Sequence, residues 1–590
     1  MKKKKGFTLV ELLAVIVILA VILVIAVPQI IRTINASRMG AIESSAKILA
    51  TNAEKDYLSQ LTLDQYYNAT SISCTDVAKL NDDYDLENCS ISYDEKGTAT
   101  VTLKGATGKK FNGITCTGTK DNMCCTKEGE ENNCTPGGGS GSGGETITTQ
   151  PQVPVTETIY WALQDNDNDE VNETLVISDS EVTGNRSGSF AGSRSINLIS
   201  EVPWIVGSHN STNNLSYNVT NVKIEGTVAP KSIRYWFKGV GYNASTFEAD
   251  LRNLNVSNTE SMNETFIYTG RNATTFSLIG LDSWNTSKVT DMESMFQSAG
   301  YNATTWNIGN LSNWNTSNVT RMSSMFSSAG KNATTWDIGN LNNWDTLQVK
   351  NLYEMFNSAG RNATTWNIGD LSNWKVSNVN DMVRMFASTG RNATTWNIGD
   401  LSDWDTSNVS TMTEMFSGAG YSATSWDIGD LSNWNVSNVE SMNSMFSAAG
   451  YNATTFNLIG LNNWDTAKLK STYRMFASAG YNATTFNLNL TDWNWDANYS
   501  VGMQQMFQYA GYNALTFNLN LTGWNMKLVV DVIADIFKDA GANATSWSIT
   551  IPQTNGNTTN PINNTTTKMY GKTTSVYANS PTGRTFTLAS

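Results

Sequence analysis

Apolar residues are distributed along this chain in three distinct patterns, each predicting a different kind of element. From Phe7 to Val27 they run with a single charged interruption, Glu11, a length sufficient to cross a bilayer as a helix. From Ile30 through Ile34, Met39, Ile42 and Ile48 to Leu49 they recur at roughly helical spacing. This continues the helix to about residue 60 with one apolar face. Runs at 98–103 and 111–116, separated by a turn around Gly105 and Gly108, predict short antiparallel strands of a small head.

The third pattern fills most of the chain and has a period of thirty residues. Met-Phe pairs recur from Met295-Phe296 to Met475-Phe476, and tryptophans from Trp284 to Trp464, without drift. Degenerate copies extend this array from Trp236-Phe237 to Ala542-Asn543-Ala544, making about eleven units. In the unit 301–330, Trp306 and Ile308 alternate with Thr305 and Asn307, predicting a short strand, after which Leu311 and Trp314 follow as the chain turns. Val319, Met322, Met325, Phe326 and Ala329 then fall at offsets 0, 3, 6, 7 and 10, which predicts a helix. Ser317 and Thr320 are cap formers at its start, Thr290 and Glu293 form a capping box one unit earlier, and Gly330 suits a left-handed stop. No unit can bury its apolar face alone, so the units are expected to stack as a β/α solenoid with strands about 4.8 Å apart. The fold class expected is α+β and multi-domain.

All six cysteines, Cys74, Cys89, Cys116, Cys124, Cys125 and Cys134, lie between the helix and the array. A small exported head gains most from disulfides, and Cys74 with Cys89 is the leading pair. Zinc is the rival, but adjacent Cys124-Cys125 without paired C-x-x-C motifs is poor ligand geometry. The stretch 136–144, rich in Gly and Ser, and the Thr/Gln/Pro segment after it form a tether. The expected organisation is a leader (1–6), a transmembrane and assembly helix (7–60), a cysteine-rich head (61–135), a linker (136–156), an N-terminal cap (157–235), the array (236–551) and a C-terminal cap (552–590).

Lys2 to Lys5 precede the first apolar run, as before a signal peptide or a simple anchor. No small-x-small cleavage site follows the run, however, and Glu11 places a carboxylate at membrane depth, where it needs a partner. The junction Gly6-Phe7-Thr8-Leu9-Val10-Glu11-Leu12-Leu13 resembles that of type IV prepilins and type II secretion pseudopilins. The resemblance implies cleavage after Gly6 by a prepilin peptidase, methylation of the Phe7 amino group, and pairing of Glu11 with the Phe7 ammonium of a neighbouring pilin subunit. Pro28 stands where the family commonly has a proline, and there it removes one helical hydrogen bond.

The array core, W-x-x-S-N-V-x-x-M-x-x-M-F, resembles BspA-like leucine-rich repeat proteins of bacterial surfaces. That resemblance implies surface attachment; the thirty-residue period and the use of Trp and Ile instead of Leu depart from it. The chain as a whole has a net charge of −13, or −17 without the four lysines, and no basic stripe interleaved with aromatics, which argues against nucleic acid as a partner. With His209 as the single histidine and no acid/base constellation interrupting the repeat, neither an enzyme nor a cofactor or metal site is expected.

Asp165, Asp167 and Asp169 imitate the start of a calcium loop, but Glu170 stands where glycine is needed and Val176 where the terminal glutamate is needed, so a polar turn is expected. Asn-x-Thr triplets such as Asn302-Ala303-Thr304 are acceptor sequences for glycans and equally ordinary turn residues. One column is the candidate ligand-facing surface: after each unit's terminal glycine stand Tyr242, Arg271, Tyr301, Lys331, Arg361, Arg391, Tyr421, Tyr451, Tyr481 and Tyr512. These side chains either pack over the turn or form an aromatic and cationic ridge suited to a glycan, an anionic polymer or a protein on a host or matrix surface. The expected protein is a minor pilin-like subunit, held in the cytoplasmic membrane as a prepilin and then displayed on a pilus or the cell surface for adhesion. A secretion pseudopilin is the alternative.

Overall fold

The computed structural model describes helical residues between 46 and 57, residues 71–127 with short gaps, 149–551 apart from 168, 170, 206–214, 495–500 and 525–534, and 587–588. It divides into two compact units, residues 1–147 and 148–590.

In the first unit, five antiparallel strands lie in sequence order: β1 (Ser71–Ile72), β2 (Ser90–Tyr93), β3 (Ala99–Lys104), β4 (Ile114–Gly118) and β5 (Met123–Lys127). Ala99, Val101 and Leu103 of β3 point inward, as the period-two pattern requires. The second expected strand starts later than the sequence suggests. Phe111 to Gly113 form a turn in which Gly113 has φ +76°, and the strand begins at Ile114. Ala46, Leu49, Ala50 and Ala53 are helical and buried, spaced as one helix face, and share a core with Val101, Leu103 and Ile114. The rest of the expected 7–60 helix lies outside the described residues, as do Gly6, Phe7, Glu11 and Pro28. Among the described residues no helix is long and apolar enough to cross a membrane.

The expected Cys74–Cys89 disulfide is present, and a second joins Cys116 to Cys125, which face each other directly across β4 and β5. The Cys124 side chain and Cys134 lie outside the described residues.

The second unit is a β-solenoid of about ten turns. Its first strands, β6 (Thr158–Gln164), β7 (Thr174–Ser178) and β8 (Arg186–Ala191), are antiparallel. Through β7 they continue into a parallel run of β9 (Asn221–Glu225), β10 (Thr246–Asp250), β11 (Thr275–Ile279) and β12 (Thr305–Asn307). Equivalent residues pair in register, Phe276 with Trp306 and Trp336 with Trp366. At the far end, Thr587–Leu588 adds a strand to Ser546–Ile551.

Most units contain the expected strand, the one beginning at Arg391 being an exception, but among the described residues none contains the expected helix. Val319, Met322, Met325, Phe326 and Ala329 are all fully buried, so the apolar stripe was correctly placed and its conformation was not. The amides of Met292, Ser294, Phe296 and Ser298 donate to carbonyls of the next coil, at Arg321, Ser323, Met325 and Ser327. The intervening amides of Met295, Gln297 and Ala299 donate three residues back within their own coil. Thr290, expected in a capping box, instead donates its hydroxyl to Glu260 O of the preceding coil. Ser294 and Ser298 are left-handed, at φ +55° and +57°, which an α-helix cannot accommodate. The segment is a ribbon of successive turns, half of whose amides form a ladder between coils. Coil spacing is the physical reason: an α-helix is about 10 Å across, so helices could stack behind strands about 4.8 Å apart only in a strongly curved solenoid, whereas these turn ribbons bond from coil to coil and hold their phenylalanines 5.3–5.7 Å apart. Gly330 does adopt the expected left-handed conformation, at φ +48°.

The core consists of aromatic ladders. The phenylalanines of the Met-Phe pairs stack from Phe266 to Phe537 with ring centroids 5.3–5.7 Å apart. The tryptophan column from Trp284 to Trp524 stacks at 6.0–6.3 Å where neighbouring rings pair. Its indoles also reach back one coil, Trp344 Nε1 donating to Leu311 O at 3.0 Å and Trp374 Nε1 to Leu341 O at 2.9 Å. Burying such a side chain is worth roughly 1.5–3 kcal/mol or more, and each adds a satisfied polar group between coils.

Candidate functional site

The residue after each terminal glycine is half-buried at the edge of the turn ribbon, so the expected column does form a continuous line down the solenoid. The glycine before it is needed there: at Gly360, φ is +50° and an added Cβ would lie 2.5 Å from Trp336 Cβ and Cγ.

The column has two chemically distinct stretches. Tyr421, Tyr451, Tyr481 and Tyr512 stack face to face, with centroids 4.4, 4.4 and 4.8 Å apart and planes within 11° of parallel. Burial raises the Tyr451 phenol above its usual range, assisted by its neighbours Tyr481 and Tyr421 and their hydrogen bonds to it. The ring faces within the stretch are thus covered by one another, and what it presents is edges and a row of hydroxyls.

In the other stretch, cations alternate with or replace the rings. Tyr301 lies between Arg271, whose guanidinium carbon is 4.4 Å from the ring centroid, and Lys331, whose ammonium is 4.7 Å away. Lys331 Nζ also donates to Tyr301 Oη at 2.6 Å. Arg391 stands 4.1 Å over Tyr421. Burial lowers the Arg391 pKa from its ordinary value, and the nearby Arg361 charge adds to the effect. Beside the column runs an exposed asparagine ladder that sequence inspection did not assign: Asn302 Nδ2 donates to Asn272 Oδ1 at 3.1 Å, Asn332 to Asn302 at 3.2 Å and Asn362 to Asn332 at 2.7 Å. Its signal was present in the repeated Asn-Ala-Thr triplets, whose asparagines are thereby engaged between coils.

The acidic turn between β6 and β7 gathers one carboxylate oxygen each from Asp165, Asp167, Asp169 and Glu173 within 4.8 Å of one another. Glu173, absent from the calcium-loop template, belongs to the group. The carboxylates accept from the turn's own amides: Asp169 N donates to Asp165 Oδ1 at 3.3 Å and to Asp167 Oδ1 at 3.2 Å, and Asn166 N to Glu173 Oε2 at 2.8 Å. His209 lies outside the described residues.

Two family descriptions match the chain. "Mycoplasma protein of unknown function, DUF285" matches in overlapping stretches from 233–329 to 421–551, and "Prokaryotic N-terminal methylation motif" matches residues 1–27. No characterised protein and no solved structure matches it.

Proposed function

Because this chain belongs to the family described as "Mycoplasma protein of unknown function, DUF285" and opens with a prokaryotic N-terminal methylation motif, we propose that it is a minor type IV pilin-like subunit that displays its solenoid for adhesion. The N-terminal motif implies processing by the prepilin peptidase and assembly with other pilins, and together with the repeat domain it indicates a pilin-like surface protein. The proposed steps are cleavage after Gly6, methylation of Phe7, and entry into a filament through pairing of Glu11 with the Phe7 ammonium of a neighbour.

The observation that carries display over a role in secretion is the sequence of the join at 136–156, a Gly/Ser-rich stretch followed by a Thr/Gln/Pro segment, a composition suited to a tether between the N-terminal unit and the large solenoid. A bulky domain on a tether suits presentation away from a filament and is ill-suited to close packing along one. The same reading assigns the solenoid a binding role and no catalysis, with the column from Tyr301 to Tyr512 as its ligand-facing surface.

Shearing cells and collecting the released filaments tests assembly. The array co-purifies with filaments from the parent strain, and Glu11→Ala reduces that recovery at least tenfold while the chain remains in the membrane. Equal recovery from the variant would overturn the assembly step.

A further inference from the structure

Within an acidic chain, the column holds cations that lack acidic partners. Several basic side chains elsewhere in the array are paired: Arg321 with Asp291 and Glu293, Arg384 with Glu354 and Glu414, Lys470 with Glu440. Among the described residues neither Arg361 nor Arg391 forms an ion pair, although they occupy equivalent positions on adjacent coils. Arg361 Nε is also shut off from solvent without a hydrogen-bond partner, an unmet donor of the kind that a bound group usually satisfies.

The ladder loosens slightly at this place on the strand side, while Asn392 N still donates to Arg361 O at 3.1 Å. The amide of the glycine preceding each column residue donates to the previous coil over 3.0 Å at Gly330, 3.1 Å at Gly360, 3.4 Å at Gly390, 3.2 Å at Gly420 and 3.0 Å at Gly480, so the longest bond lies between the two arginines. Trp366 and Trp396 are 6.2 Å apart, against 5.3 Å for Trp306 and Trp336. The strand present at Thr365–Asn367 has no counterpart at 395–397. Two neighbouring guanidinium charges without a counter-charge repel each other, the Arg361 charge contributing to the lowered Arg391 pKa, and an anion beside them would offset that repulsion.

We propose that Arg361 and Arg391 form the anion-binding centre of a site for an acidic polysaccharide, gripping a carboxylate or sulfate of the polymer. The surroundings favour a sugar chain over an acidic peptide. The flanking surface includes tyrosine hydroxyls along the column and exposed asparagine amides beside it, a hydrogen-bonding floor for a polyhydroxylated ligand. The tyrosine faces are filled by one another, so recognition works through hydroxyls and charge, without ring stacking. This ligand class rests on the solenoid having a binding role; it does not depend on where the subunit is assembled.

The test uses the purified full chain in detergent, with heparin and polygalacturonate as acidic probes, dextran as the neutral one and polyglutamate as the acidic peptide. Binding of at least one acidic polysaccharide is expected, weakening as salt rises, with at least a tenfold loss in the double variant Arg361→Gln/Arg391→Gln and no change in Arg384→Gln, whose arginine is ion-paired outside the column. Melting curves of both variants check that the fold is retained. Failure to bind either acidic polysaccharide, equal binding by the double variant, or equally tight capture of polyglutamate would overturn the proposal. Because binding is read on purified protein and display on cells, failure of the site is distinguishable from failure of the assembly reading.

Discussion

At the residue scale, the array depends on positions where backbone and neighbour leave one solution. Gly360 combines a left-handed backbone with close approach to Trp336, so Gly360→Ala is expected to cost roughly 2–4 kcal/mol from conformational strain and overpacking, as measured by urea unfolding. A change within 0.5 kcal/mol would mean that the coil relaxes around the new methyl. Tyr451 links the column to pH. Its phenol is raised above the usual tyrosine range in the fold, first by burial and then by the adjacent tyrosines. The unfolded chain therefore ionises first as pH rises. The contribution is fully present below the unfolded value near 10 and is lost at higher pH. Melting temperature is expected to fall above about pH 10, less steeply in Tyr451→Phe, with tyrosinate absorbance reporting the ionisation; identical profiles would contradict the assignment.

At the scale of the element, the ladders matter more than any single coil. Trp374 is fully enclosed and hydrogen-bonded to the previous coil, so Trp374→Ala is expected to lower stability by about 3–5 kcal/mol in denaturant unfolding. The sequence revealed which residues such ladders contain because burial repeats with the chain: Trp306, Ile308, Met325 and Phe326 were placed in the core by period alone, and all are buried. The conformation between them was not legible. Offsets of 0, 3, 6, 7 and 10 suit a helix and a turn ribbon equally. What separates the two is the destination of alternate amides, which depends on the neighbouring coil. Nor does a left-handed Ser294 or Glu354 announce itself as a glycine would. The candidate column was legible as a column, but mutual stacking of its tyrosines was not, since that depends on coil spacing. In the head, the alternation of β3 and the Cys74–Cys89 pair were both readable locally, whereas Cys116–Cys125 required the register of β4 against β5.

At the scale of the whole molecule, delivery and cargo are separable in the chain. Residues 1–27 match a prokaryotic N-terminal methylation motif, and residues 233–551 match a repeat family of unknown function. On the proposed reading the solenoid is cargo to be presented, and the unpaired arginines of the column supply the chemistry with which it binds. The account therefore depends most on where the array is found. Immunogold electron microscopy of intact cells with an antibody against residues 236–551 tests this directly. Gold along filaments or at their tips, lost in a strain lacking the prepilin peptidase, is the predicted result; gold absent from the outer surface, with the array recovered only from the envelope interior, would contradict it and favour the secretion pseudopilin.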